Sequence, residues 1–197
     1  DAEGEDLDVS LLGMPEESDW VLLSNFNDRS LVRNTISHKL FTDMGQYSPR
    51  MQLCEVLLDS VYKGIYVFGE KIKRDKNRVD IANLKPEDIE GEDITGGYIL
   101  QQNYWDPSTS FQSNYSPIDH PEFDVHFVYE FPKPVDITEV QKAYIASFVD
   151  SLETALYSPD FTDPDIGYRK YLDVKSFIDY FLLNELARNN DGFKKSV

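Results

Sequence analysis

An α+β fold is predicted for this chain, with an antiparallel sheet and one helix in the first half and mainly helices in the second. Short aromatic- and branch-rich runs bounded by Asn, Asp, Gly and Pro recur before residue 135, the pattern of half-buried strands. After Asp136, apolar residues recur instead at three- and four-residue steps, the pattern of helices. Hydrophobic residues make up 41% and aromatics 13% of the 197 residues, enough for a sizeable core in one large domain or in two small lobes sharing a cleft.

Residues 1–10 are acidic and nearly free of apolar side chains, which predicts a disordered N-terminus. Asp19-Trp-Val-Leu-Leu-Ser-Asn25 reads as a short buried strand, and Asp28 or Ser30 as the cap of a helix whose core side carries Leu31, Val32, Ile36, Leu40 and Phe41. Met44-Gly45 supplies its stop. Runs 51–59 and 64–70 read as an antiparallel hairpin joined by residues 60–63.

The segment Glu70-Lys71-Ile-Lys73-Arg74-Asp75-Lys76-Asn77-Arg78 is a basic cluster in an acidic chain, either an anion site or a solvated loop. Residues 83–93 read as an acidic connector. Gly96-Gly97 opens a strand ending at Gln102 and implies close backbone approach; residues 103–121 read as a long surface loop, and 123–131 as a strand ended by Pro132 and Pro134.

Asp136-Ile-Thr-Glu139 has the form of a capping box ahead of the longest helix, with Val140, Tyr144, Phe148, Leu152 and Leu156 in one row. The last helix, capped by Asp173, is expected to bury Val174, Phe177, Ile178, Phe181, Leu182 and Leu186. It runs into Arg188-Asn-Asn-Asp-Gly192, where Gly192 can take positive φ and a packed helix delivers the Asp191 carboxylate to a defined place. An ordinary helix end accounts for the same residues. The expected divisions are therefore 1–10, 11–70 (small-lobe-like sheet and helix), 71–135 (hinge, loop and strands) and 136–197 (helical lobe).

Composition excludes some functions. With 19 Lys+Arg against 36 Asp+Glu the formal charge is −17, which repels nucleic acid and anionic membranes. Cys54 stands alone, so an internal disulfide or cysteine metal cluster is excluded, and His38, His120 and His126 are too scattered for a zinc site. No apolar run is long enough for a membrane helix. Scarce cysteine fits the cytoplasm and the cell surface alike; a bacterial cell surface or secreted location is favoured.

Five motifs in order, Trp20-Val-Leu-Leu-Ser-Asn25, Asp28-Arg-Ser-Leu-Val-Arg-Asn34, Gly64-Ile-Tyr-Val-Phe-Gly-Glu70, Gly96-Gly-Tyr-Ile-Leu100 and Asn184-Glu-Leu-Ala-Arg-Asn-Asn-Asp191, together resemble the CotH kinase family, named for a spore coat protein. The resemblance implies an atypical two-lobed protein-kinase-like fold and phosphorylation of Ser in protein substrates with ATP and Mg²⁺. It makes Asp191 the catalytic-loop carboxylate and puts Arg33, Glu70, Lys71 and Asn190 on the ATP side.

This sequence departs from the family in having Gln101-Gln102 where an acid is expected and Ser196 where kinases keep a metal-binding Asn. The family's phosphate-cradling strand and Asp-rich metal motif fall outside Asp1–Val197, so no metal ligand is assigned, and a piece without them is expected to be inactive alone. The competing expectation is a pseudokinase or a cell-surface module that holds a protein or glycan with the aromatic loop Tyr104–Tyr115.

Overall fold

The computed structural model describes residues 4–193 and is α+β, with two three-stranded antiparallel sheets. The chain forms two compact units. The first comprises Asp1–Ile72, Asn77–Val79 and Asp179–Ala187; the second comprises Lys73–Lys76, Asp80–Ile178 and Arg188–Val197.

In the first unit β1 (Trp20–Leu23), β2 (Met51–Leu58) and β3 (Val61–Glu70) are ordered β1-β3-β2, with Trp20 opposite Glu70 and Met51 opposite Gly69. The predicted hairpin forms, but on a tighter turn than residues 60–63. Asp59 and Ser60 take φ of 50° and 63°, the left-handed pair that a two-residue hairpin loop requires.

Helix α1 (Arg33–Asp43) has Val32 at its N-cap with no side-chain bond. Asp28 acts from outside, accepting the Arg33 N–H at 2.9 Å and the Ser30 N–H at 2.9 Å. At the other end Gly45 has φ 87° and donates to the Thr42 carbonyl, while Gln46 donates to that of Phe41, so the expected glycine stop is a full pair of closing bonds. The expected core stripe of α1 is not buried: none of its residues is, and Ile36 is exposed.

In the second unit β4 (Ile99–Gln101), β5 (Ser110–Gln112) and β6 (His126–Phe131) are ordered β4-β6-β5. Strand β5 lies within the expected loop 103–121. It forms because Phe111 pairs with Phe127 and packs, with Tyr98 and Leu100, on the core of Tyr129, Ile137 and Ile145. The close approach expected at the glycine pair is real: Gly97 has φ 85°, and a Cβ there would lie 2.4 Å from the Ala82 carbonyl oxygen.

Helix α2 (Glu139–Tyr157) does begin with a capping box, but the partners are Thr138 and Gln141 rather than Asp136 and Glu139. The Gln141 amide accepts from the Thr138 N–H at 3.0 Å and donates inward to the carbonyls of Lys85 (2.6 Å) and Asp88 (3.1 Å). A glutamine pinned in this way sets the rotation of the helix. Gln141, Ile145, Val149 and Ala155 are buried, and Val140, Phe148 and Leu156 of the expected row are exposed.

Helix α3 (Val174–Ala187) is capped as expected, Asp173 accepting the Lys175 N–H at 3.0 Å. Its burial is the reverse of expectation. Asp179 and Asn184 are the buried residues, while Phe177, Ile178, Phe181, Leu182 and Leu186 are each more than half exposed. A polar bond ties down the inner face, Gln46 donating to Asp179 at 2.6 Å, while Asn184 donates within the helix to the Tyr180 carbonyl at 2.8 Å.

Candidate functional site

Strand β3 ends at Glu70, whose side chain is buried and met by guanidinium groups. Arg50 donates to it from Nε at 2.9 Å, from Nη2 at 2.7 Å and from its backbone N–H at 2.8 Å. Arg78 Nε lies 4.0 Å from Glu70 and 3.9 Å from Glu17. The Arg78 guanidinium also donates to the carbonyls of Lys71 (2.9 Å) and Asp19 (2.7 Å) and sits 5.4 Å over the Trp20 ring. One cation of the predicted basic cluster is therefore a buried joint that ties β1 and the end of β3 together. Lys71 beside it is exposed.

Arg33, the first residue of α1, is exposed and holds Asp28 at 3.5 Å. The Asp28 carboxyl is kept below its ordinary range by the Ser30 hydroxyl and the Arg33 N–H. Arg33, Glu70 and Lys71 thus all belong to the first unit, whereas Asn190 and Asp191 belong to the second.

Asn190 and Asp191 are exposed on the turn after α3, where the Gly192 N–H donates to the Asn189 carbonyl at 3.3 Å. Positive φ falls at Arg188, at 52°, and not at Gly192 as expected. The expectation about Ser196 lies outside the described residues.

The second unit also holds a cavity of about 980 Å³ that sequence reading did not locate. Trp105 lies flat on His126, with ring centroids 3.5 Å apart and planes 8° from parallel, and Tyr115 packs on Tyr157 at 4.6 Å. Bonds to α2 seat the loop: Ser113 donates to Glu153 at 2.7 Å, Asn114 to Asp150 at 2.8 Å, and the Tyr115 hydroxyl meets Thr154 at 2.9 Å. Burial pushes the Glu153 carboxyl above its ordinary value, partly opposed by the Ser113 bond. The sequence signal was the concentration of Tyr, Trp and Asn in 103–121; what it lacked was the helix on which they fold.

The sequence model of the CotH kinase protein family matches residues 1–197, the whole chain. The chain belongs to the CotH kinase family. No curated protein and no solved structure matches it.

Membership gives this CotH protein a kinase-like role, for which the resemblance implies ATP and Mg²⁺. The donor set tests the metal. Among the described residues no group of three or more His, Cys, Asp or Glu is placed to hold an ion. Asp191 offers one exposed carboxylate, and Glu70 is already paired with arginine. Among the described residues, then, no complete set of protein ligands for Mg²⁺ is assembled in advance. No helix among them is long and apolar enough to cross a membrane.

Proposed function

We propose that this CotH protein is a phosphotransferase of two-lobed, kinase-like fold that phosphorylates Ser of protein substrates from ATP. In this reading residues 11–70 correspond to the small lobe and 136–197 to the helical lobe. Asp191 accepts the proton of the Ser hydroxyl as the Oγ–P bond forms and the bond from the γ-phosphorus to the bridging oxygen of ADP breaks. Arg33, Lys71 and Asn190 stand on the nucleotide side, and Glu70 acts there only by fixing Arg50 and Arg78. A bacterial cell surface or secreted location goes with this reading.

The observation that carries it is the family match over the whole chain, which includes the helix–turn bearing Asp191. An exposed turn suits a base that must meet a Ser on a macromolecule, because no narrow entrance stands in the way. The test is transfer of radiolabel from γ-labelled ATP, with Mg²⁺ supplied, to a Ser-rich acceptor protein by the complete parent protein that carries residues 1–197. Asp191→Asn is expected to lower the rate by at least about 100-fold, the usual share of a positioned base. Equal rates in wild type and variant would remove Asp191 as base.

A second reading, a non-catalytic binding module, is favoured by one observation: Trp105 and Tyr115 of the aromatic loop line the cavity rather than standing apart in solvent. Absence of transfer from wild type and variant alike, together with ligand binding at this loop, selects it.

A further inference from the structure

The cavity of the second unit is walled by flat rings and by planar hydrogen-bonding side chains. Trp105, Tyr115, Tyr157 and Phe123 supply the rings; Gln102 and Asn103 supply amides, and Glu122, Asp124 and Glu153 supply carboxylates. Among the described lining residues none is Lys or Arg, and His120 and His126 add imidazoles. The carboxylates of Glu122, Asp124 and Glu153 act against a phosphate, sulfate or uronate in their place.

The carboxylates are held in place by neutral or ring donors. Gln112 donates to Asp124 at 2.9 Å, Ser113 to Glu153 at 2.7 Å, and His120 Nδ1 faces Glu122 at 3.2 Å. Each keeps further acceptor positions. The amides add donors to the same wall, so the cavity offers both halves of a hydrogen bond. A cation uses acceptors only and would leave those donors idle. A hydroxyl both donates and accepts and satisfies the set.

We infer that this cavity binds a neutral sugar, with the Trp105 ring as the platform for the apolar C–H face of a pyranose and the amides and carboxylates holding its hydroxyls. A cavity of about 980 Å³ has room for a disaccharide. Aromatic rings supply large, rigid contact area with one polar edge, which matches a ligand that is apolar on its faces and polar around its rim. The ligand class rests on the second reading above only in taking the aromatic loop as a binding surface. It holds whether or not Asp191 transfers phosphate.

The test titrates the whole protein with neutral disaccharides of gluco, galacto, manno and N-acetylated types, and separately with spermidine, following tryptophan fluorescence and saturation-transfer NMR. At least one disaccharide is expected to bind saturably. Trp105→Ala should weaken it about tenfold or more, and Trp105→Tyr, which keeps a flat ring, should recover most of that loss. Unchanged far-ultraviolet circular dichroism separates lost stacking from lost fold.

Disaccharide binding that is indifferent to Trp105→Ala overturns the assignment. So does saturable spermidine binding that depends on Trp105 while every sugar is silent; that outcome makes the cavity a cation site and leaves the loop a binding surface. Silence of sugars and spermidine together overturns the sugar assignment and the binding role of this cavity at once.

Discussion

The two units bury polar groups in different ways. At the centre of the first lie charges, Glu70 and Arg78, held by Arg50, Glu17 and backbone carbonyls under the Trp20 ring. At the centre of the second lies an apolar cluster of Tyr129, Ile137 and Ile145, and the nearby polar anchor is the neutral amide of Gln141. A buried ion pair gains little over a well-packed apolar substitute, yet removing one partner strands the other charge away from water. A buried aliphatic side chain is lost more gradually, through transfer and cavity terms. The first unit should therefore fail on single charge changes and the second on volume changes.

The chain carries 2 Trp, Trp20 in the first unit and Trp105 in the second, so each unit has its own fluorescent reporter. The largest effect is expected from Arg78→Ala, read by Trp20 during urea unfolding in a Trp105→Phe background. It leaves Glu70 and Glu17 short of a cation and the Lys71 and Asp19 carbonyls short of a donor, at a cost of about 3–5 kcal/mol. Arg78→Lys should recover little, since an ammonium cannot reproduce a fork that spans both carbonyls. A cost below about 1 kcal/mol would mean that the network is a solvated surface pair and would erase the contrast.

Next is Ile145→Ala, read by Trp105 in a Trp20→Phe background. Removing a buried aliphatic group from the Tyr129 cluster should cost about 3 kcal/mol, with partial collapse of the site deciding the exact value. If Trp20 and Trp105 report identical losses for both variants, the units unfold as one, and the comparison concerns parts of a single cooperative fold.

What sequence could anticipate follows the same division between near and far. Local chemistry was legible: the β2–β3 hairpin, the Gly45 stop and the Asp173 cap all depend on neighbours in the chain. Remote bonds were not. Arg78 reads as one more cation in a basic run, but its fate is decided by the Asp19 carbonyl, 59 residues away. Gln141 lies off the predicted row of Val140, Tyr144 and Phe148, yet the carbonyls of Lys85 and Asp88, 56 and 53 residues away, turn it inward and rotate α2 off its predicted face. Among the site residues, the turn carrying Asp191 was legible as a turn, whereas the cavity required knowledge of which helix receives Trp105 and Tyr115.

The smallest effect is expected on α3, where the periodic apolar row is plain in sequence and yet exposed. Leu186 is 72% exposed, against 5% for Asn184 two positions earlier. Leu186→Gln exchanges one good helix former for another and removes little buried surface, so it should shift stability by no more than about 0.5 kcal/mol. Asn184→Leu should cost more, because it removes the bond to the Tyr180 carbonyl and puts a branched side chain in a site shaped for an amide. The order of these two variants decides the orientation of the helix. If Leu186→Gln proves the more damaging, α3 buries its leucine face as its periodicity predicts, and polar bonds do not set its rotation. If Asn184→Leu does, α3 and α2 obey one rule: a buried polar group, Asp179 met by Gln46 in one and Gln141 in the other, outranks a row of apolar side chains, since an unmet buried polar group costs more than an exposed leucine.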